Sequence, residues 1–199
     1  MQVKPFSQAC ENNKQPILQV LSRYLQDGNT VLEIGSGTGQ HAVYFSQHLP
    51  GLSWQPTDLE MNLAGINQWC DEAAQSNLLK PLVLDIDGNW PQQRYDAVFS
   101  ANTAHIVSWQ QVQTLFSQIE DVLAEDGFFI LYGPFNYDGA YTSESNAKFD
   151  QWLKVRDVHS GIRDFEAVND LANAAGLKLV EDCAMPANNR TLVWQRLVL

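Results

Sequence analysis

The chain has 199 residues, 45% hydrophobic and 18% charged, a composition that excludes a disordered polymer and supplies an ample core. Its 12 basic residues lie scattered among 23 acidic ones, for a net charge of −11, which disfavours nucleic acid as a partner and favours a small molecule or a basic protein. No apolar run approaches the ~20 residues of a membrane span. The N-terminal stretch is too polar for a signal peptide. Cys10, Cys70 and Cys183 are odd in number and outside any C-x-x-C pair, and no metal-ligand cluster is visible. These features predict a cytoplasmic protein with reduced thiols, no membrane association and no metal; they leave the oligomeric state open.

In chain order, residues 1–14 are polar, and Asn12 or Asn13 is placed to cap a first helix with Pro16 in its first turn. Its stripe, Ile17, Val20, Leu21, Tyr24 and Leu25, ends at Asp27-Gly28-Asn29. Residues 30–34 read as a buried parallel strand. Gly35, Gly37 and Gly39 then break it ahead of a helix on Ala42, Val43, Phe45 and Leu49. Residues 52–58 are a second strand ending in Asp58, followed by a helix over 61–75 and a third strand over 81–88. A fourth strand covers 94–102, a helix 108–125 and a fifth strand 128–132.

Residues 133–142 mix turn formers with three aromatics and read as a specificity loop. Phe149, Trp152 and Leu153 imply a short helix, and Arg156-Asp157 with Arg163-Asp164 are candidate ion pairs. Asp164 can cap a helix that Gly176 stops. Residues 177–183 and 191–197 are two strands whose connection is too short for a crossover, so they are antiparallel. The expectation is an α/β, Rossmann-like three-layer sandwich: a seven-stranded, mostly parallel sheet with an antiparallel last strand. A single domain over 1–199 is expected, with 1–28 a helical segment and candidate lid.

The glycine spacing decides between cofactors. A dinucleotide fingerprint aligned on Gly35 and Gly37 needs Gly or Ala at position 40, where this chain has Gln40. Glu33-Ile34-Gly35-Ser36-Gly37-Thr38-Gly39 instead resembles the acidic-x-G-x-G-x-G motif of class I S-adenosylmethionine-dependent methyltransferases. Asp58, Asp85, Tyr95-Asp96-Ala97-Val98 and the terminal hairpin extend that resemblance over nearly the whole chain. Trp54-Gln55-Pro56-Thr57-Asp58, Ala101-Asn102-Thr103-Ala104-His105-Ile106, Gly133-Pro134-Phe135-Asn136, Ser160-Gly161-Ile162-Arg163-Asp164-Phe165 and Met185-Pro186-Ala187-Asn188-Asn189 look like a narrower family of small, uncharacterised methyltransferase-like proteins.

The resemblance implies S-adenosylmethionine as cofactor, held by Glu33, Gly35, Gly37, Gly39, Asp58 on the ribose, Asp85 and Ile86 on the adenine, and Asn102. It implies methyl transfer to a small-molecule acceptor, with His105 as candidate base and Asn12, Phe135 and Tyr137 near the acceptor. His41, His48 and His159 read as bystanders. A non-catalytic relative acting through a partner is the alternative, and a nicotinamide-dependent oxidoreductase ranks last because of Gln40. Since no aromatic follows Asn102 in an N/D-P-P-Y/F pattern, methylation of nucleic acid or glutamine loses support.

Overall fold

The computed structural model describes residues 4–197. Strand β1 (Thr30–Ile34) lies in parallel between β2 (Ser53–Asp58) and β4 (Tyr95–Ala101). Beyond β2 stands β3 (Leu82–Val83), and beyond β4 stands β5 (Leu123–Gly133). Strand β9 (Asn189–Arg196) runs antiparallel to both β5 and β8 (Leu177–Met185). The sheet order is therefore β3-β2-β1-β4-β5-β9-β8, with β9 its single antiparallel strand, as the sequence predicts.

Side chains alternate across a strand, and the core divides accordingly. Val31, Ala97, Phe99, Ile130 and Val193 face α1 (Gln8–Tyr24) and α2 (Gln40–His48). Leu32, Val98, Phe129, Leu131, Leu192 and Trp194 face α4 (Trp109–Val122) and α6 (Phe165–Ala174). Helix α3 (Glu60–Ala73) packs beside α2, and α5 (Glu144–Arg156) leads into the last third of the chain. Among the described residues, no helix is long and apolar enough to cross a membrane.

Four elements depart from the sequence reading. Helix α1 starts at Gln8, because Ser7 caps it by accepting from Cys10 N at 3.4 Å, so Pro16 lies inside the helix and Asn12 and Asn13 do not cap it. Strand β3 is only two residues long. At the sheet edge the chain turns away through Asp85, whose carbonyl accepts from Gly88 N at 2.9 Å. Helix α4 ends at Val122 and β5 begins at once, with Leu123 opposite Tyr95 and Phe128 opposite Ala97. The bulge between them needs Gly127, since a Cβ there would sit 2.8 Å from the Asp96 carbonyl. Finally, Phe135–Asn136 (β6) and Arg163–Asp164 (β7) form a small second sheet inside the stretches read as a loop and a turn.

The ion pairs expected of Arg156-Asp157 and Arg163-Asp164 are not among the salt bridges of the described residues. Arg163 instead donates to the carbonyls of Ala104 and His159, at 2.9 Å each, and of Val107. That grip fixes the loop after β4, with help from Gly161 N on the His105 carbonyl at 2.9 Å. Asp150 completes the clamp from α5, accepting from Ile162 N at 2.7 Å, Tyr141 Oη at 2.6 Å and Lys154 Nζ at 2.6 Å.

Phe45 is fully buried among His41, Trp54 and Phe99, with ring centroids 5.2–5.5 Å away. Phe45→Ala is expected to cost about 3–5 kcal/mol of stability, read from the midpoint of urea denaturation.

Candidate functional site

Parallel strands deliver their carboxyl ends to one edge of the sheet, and a cleft of about 1080 Å³ opens there. The three glycines after β1 have positive φ and do three different things. Gly35 lies under the loop that follows β4, where a Cβ would meet Thr103 Oγ1 at 2.6 Å. Gly37 has open space on its Cβ side and faces the cleft. Gly39 caps α2 in a left-handed conformation and lets Ile66 of α3 approach to within 3.1 Å of the Cβ position; it does not line the cleft.

The loop is tied to the end of β2. Ser36 N donates to the Thr57 carbonyl at 2.9 Å, and Thr57 N returns a bond to Ser36 Oγ at 3.1 Å. Asp58 Oδ2 accepts from Gly37 N at 2.6 Å, while Oδ1 accepts from Leu59 N and Asn62 Nδ2, each at 2.7 Å. An aspartate at the strand end thus presents a fixed carboxylate to the cleft. Leu84 and Ile86 add apolar wall beside it, and Asp85 stands exposed at the rim, accepting from Asp87 N at 3.1 Å.

Glu33 lies elsewhere. It is buried at 2% exposure on the α1/α2 side, accepts from Trp54 Nε1 at 3.0 Å and does not line the cleft. Burial pushes its carboxyl up to about 7, and the negative charge of Asp58 adds to that.

The third wall is the start of α1, and Gln40 holds it there. Its Oε1 accepts from Ser7 N at 2.6 Å, and its Nε2 donates to Glu11 Oε1 at 2.6 Å. His41 Nε2 donates to Asn13 Oδ1 at 2.7 Å, and Trp69 Nε1 to the Pro5 carbonyl at 2.7 Å. Ser7, Cys10, Asn12 and Asn13 line the cleft, whereas Phe6 is 61% exposed outside it and Glu11 meets Gln40 instead. Residues 1–3 of the expected lid lie outside the described residues.

Across from α1, Asn102 has a φ of +59° and gives its N–H to the Tyr132 carbonyl at 2.8 Å, turning the chain so that Thr103 and His105 line the cleft. His105 is 4% exposed, its ring edge-on to Phe149 at 5.4 Å. Burial, with the charge of Arg163, pushes its imidazole down to about 4, so it is neutral near pH 7 and a much weaker base than the sequence reading assumed.

Two acceptor-side expectations are corrected. Phe135 is 1% exposed in the core on the α4/α6 side, and Tyr137 stacks on Phe165 at 5.1 Å with its hydroxyl donating to Asp182 at 2.8 Å; neither lines the cleft. Conversely His41, read as a bystander, does line it, with burial pushing its imidazole down to about 4. Tyr132, Asn146, Phe149 and Asn189 also line it and were not singled out. Tyr132 lies at the end of β5, Asn146 and Phe149 on α5, and Asn189 at the hairpin turn, positions that carry no site motif in the sequence.

A family model described as "Protein of unknown function (DUF938)" matches residues 4–196. The chain belongs to this family. The DUF938 chain is also similar to solved methyltransferase structures. One is an O-methyltransferase family protein from Burkholderia thailandensis (TM-score 0.82, 16% identity, covering 95% of this chain and 57% of that one). Another is human N-acetylserotonin methyltransferase in complex with SAM (TM-score 0.80, 13% identity, 96% and 53%). A third is an O-methyltransferase family 2 protein from Planctomyces limnophilus DSM 3776 in complex with apigenin (TM-score 0.77, 14% identity, 94% and 62%). The DUF938 chain spans a little over half the length of these proteins. At such identities the likeness establishes the fold, which is that of class I S-adenosylmethionine-dependent methyltransferases.

The cleft suits an adenosyl ligand on its own chemistry. Gly37 leaves room for close approach, a fixed carboxylate stands beside it, and Leu84 and Ile86 supply apolar surface next to Asp85. Among the described residues no cluster suited to a metal ion occurs.

The raised Glu33 gives a stability prediction with a definite sign. Its folded pKa exceeds the unfolded value of 4.5, so the native state binds the extra proton and stability falls as pH rises between about 4.5 and about 7. Glu33→Gln removes the buried charge. It should raise the unfolding free energy relative to wild type at about pH 8 by on the order of 1–3 kcal/mol, with the gain fading by about pH 5 in urea denaturation followed across pH.

Proposed function

We propose that this protein is an S-adenosylmethionine-dependent methyltransferase acting on a small-molecule acceptor. The observation that carries the reading is the Asp58 carboxylate, fixed at the end of β2 against the open Gly37 turn, in a cleft large enough for a cofactor and a second molecule. In this reading Gly35, Gly37 and Asn102 border the amino-acid end of the cofactor. Asp58 meets the ribose, and Asp85 with Ile86 meets the adenine. Glu33 and Gly39 act from behind, Glu33 through Trp54 and Gly39 by seating α2 on α3. The whole chain then serves as one catalytic unit, with residues 5–13 forming a wall.

A carboxylate has about four lone-pair sites, and Asp58 already accepts three bonds. One ribose hydroxyl can therefore bind Oδ2 directly, and the second requires the Asn62 amide to swing off Oδ1. When bound, the cofactor supplies a sulfonium methyl group for in-line displacement. The protein's part is to hold the acceptor on that line, since positioning provides much of the rate. His105, neutral and at the carboxyl edge of the sheet, accepts or donates a hydrogen bond to the acceptor.

The test is calorimetric titration with S-adenosylhomocysteine. Wild type is expected to bind with micromolar-range affinity. Asp58→Ala, checked by circular dichroism for retained fold, should bind at least about 100-fold more weakly, since two hydrogen bonds to a charged group at about 1.5 kcal/mol each are lost. Asp58→Asn should fall between them. Unchanged affinity in Asp58→Ala contradicts the reading.

A further inference from the structure

The order of strands divides the cleft in two. The glycine loop, Asp58 and Asp85 stand over the β3-β2-β1 side. Past β4 the walls come from the loop carrying His105, the end of β5, helix α5 and the turn between β8 and β9. Among the described lining residues, the only carboxylates are Asp58 and Asp85, and no Lys or Arg lines the cleft at all. Among the described residues, no charged side chain therefore lines the half beyond β4. Arg163, packed behind His105, gives its donors to the carbonyls of Ala104, Val107 and His159 and does not line the chamber.

The polar groups of this half are neutral and oriented. His105 is 4% exposed, and neither ring nitrogen has a hydrogen-bond partner among the described residues, although the ring faces the cleft. With no protein group engaging them, the ring nitrogens are left to a ligand's polar group in the cleft. Asn146 gives its side-chain N–H groups to Thr142 Oγ1 at 3.0 Å and the Asn188 carbonyl at 3.1 Å. Asn189 gives its own to the Pro186 and Ala187 carbonyls at 3.2 and 3.4 Å. Both amides are thereby turned so that the oxygen is the group left to accept. The remaining wall is flat and apolar: Phe149 stacks on Trp152 at 5.8 Å and 18°, with Pro134 and Ile106 lining the same side.

We propose that this chamber binds an uncharged, planar aromatic molecule that presents a hydroxyl group to His105, and that it rejects carboxylate, phosphate and ammonium ligands of the same shape. A hydroxyl can both give and take a hydrogen bond, which matches an imidazole with one donor and one acceptor. An ion brought here would lose part of its water without a charged side chain in the lining to pair with, since Arg163 behind His105 spends its donors on three carbonyls. A flat ring matches the aromatic wall. That this ligand is the methyl acceptor rests on the methyltransferase reading above; the binding preference itself belongs to the chamber and is tested without turnover.

The experiment uses three probes with one ring system: 2-naphthol, 2-naphthoate and 2-naphthylmethylammonium. Each is titrated by calorimetry at about pH 7 into the full chain, free and saturated with S-adenosylhomocysteine. The naphthol is expected to bind at least about tenfold more tightly than either ion, and its affinity should stay level from about pH 5.5 to about 8, because His105 is neutral throughout. His105→Phe should lose that affinity by at least about tenfold while binding S-adenosylhomocysteine as wild type does. An ion binding as tightly as the naphthol, no binding by any probe, or naphthol affinity unchanged in a folded His105→Phe protein overturns the proposal. Should His105→Phe fail to fold, the wild-type ranking of the three probes decides alone. If the naphthol ranking holds while S-adenosylhomocysteine does not bind, the chamber's chemistry stands and the methyltransferase reading falls.

Discussion

The bond from the Gly37 amide to the Asp58 carboxylate, at 2.6 Å, is the constraint on which the cleft depends. It joins the turn after β1 to the end of β2, and the reciprocal Ser36–Thr57 pair beneath it sets the distance between them. Only a residue tolerant of positive φ can offer its N–H in that direction, which is why the loop carries glycine at this point. A charge-assisted bond inside a sheltered cleft is stronger than its neutral counterpart and holds the loop without a ligand. Nearly every feature at the β3 side of the site follows from this knot.

The remaining walls are fastened to the same frame by residues distant in sequence. Gln40 joins α1 to the glycine turn, and its amide does so with both ends, accepting from Ser7 and donating to Glu11. The position that breaks a dinucleotide fingerprint thus has a structural occupation of its own. On the other side, Arg163 and Gly161 hold the loop after β4 by its carbonyls, and Asp150 fixes residue 162 to α5. The Ser160-Gly161-Ile162-Arg163-Asp164 stretch therefore acts as the backing of His105. It fixes the backbone that carries that ring; burial lowers the imidazole pKa, and the charge of Arg163 adds to the effect.

How much of this was legible in the sequence depends on how local the cause is. The mostly parallel seven-stranded sheet and the antiparallel β9 follow from strand–helix alternation and from a connection too short for a crossover, whereas the order of the strands comes from the structure. Asp58 was legible because its spacing from the glycines fixes the end of β2. Glu33 was recognisable as a motif residue, but whether it touches a ligand was not, since its side chain follows strand parity to the α1/α2 side. Phe135 misled because a loop rich in turn formers hides a two-residue strand, and pairing with Arg163, which lies 28 positions on, turns the phenyl ring into the core. The early start of α1 rests on a local cap at Ser7, but its docking on the glycine turn through Gln40 is not local and was not legible. The histidines show the same limit: the sequence gives an imidazole an ordinary pKa, and only packing moves His41 and His105 to about 4.

The most direct measurement is a crystal structure of the full chain with S-adenosylhomocysteine. The account predicts the adenosine between the glycine turn and Ile86, a ribose hydroxyl on Asp58 Oδ2 and the Asn62 amide moved from Oδ1. Adenosine lodged elsewhere, with Asp58 still holding all three of its present donors, would contradict it.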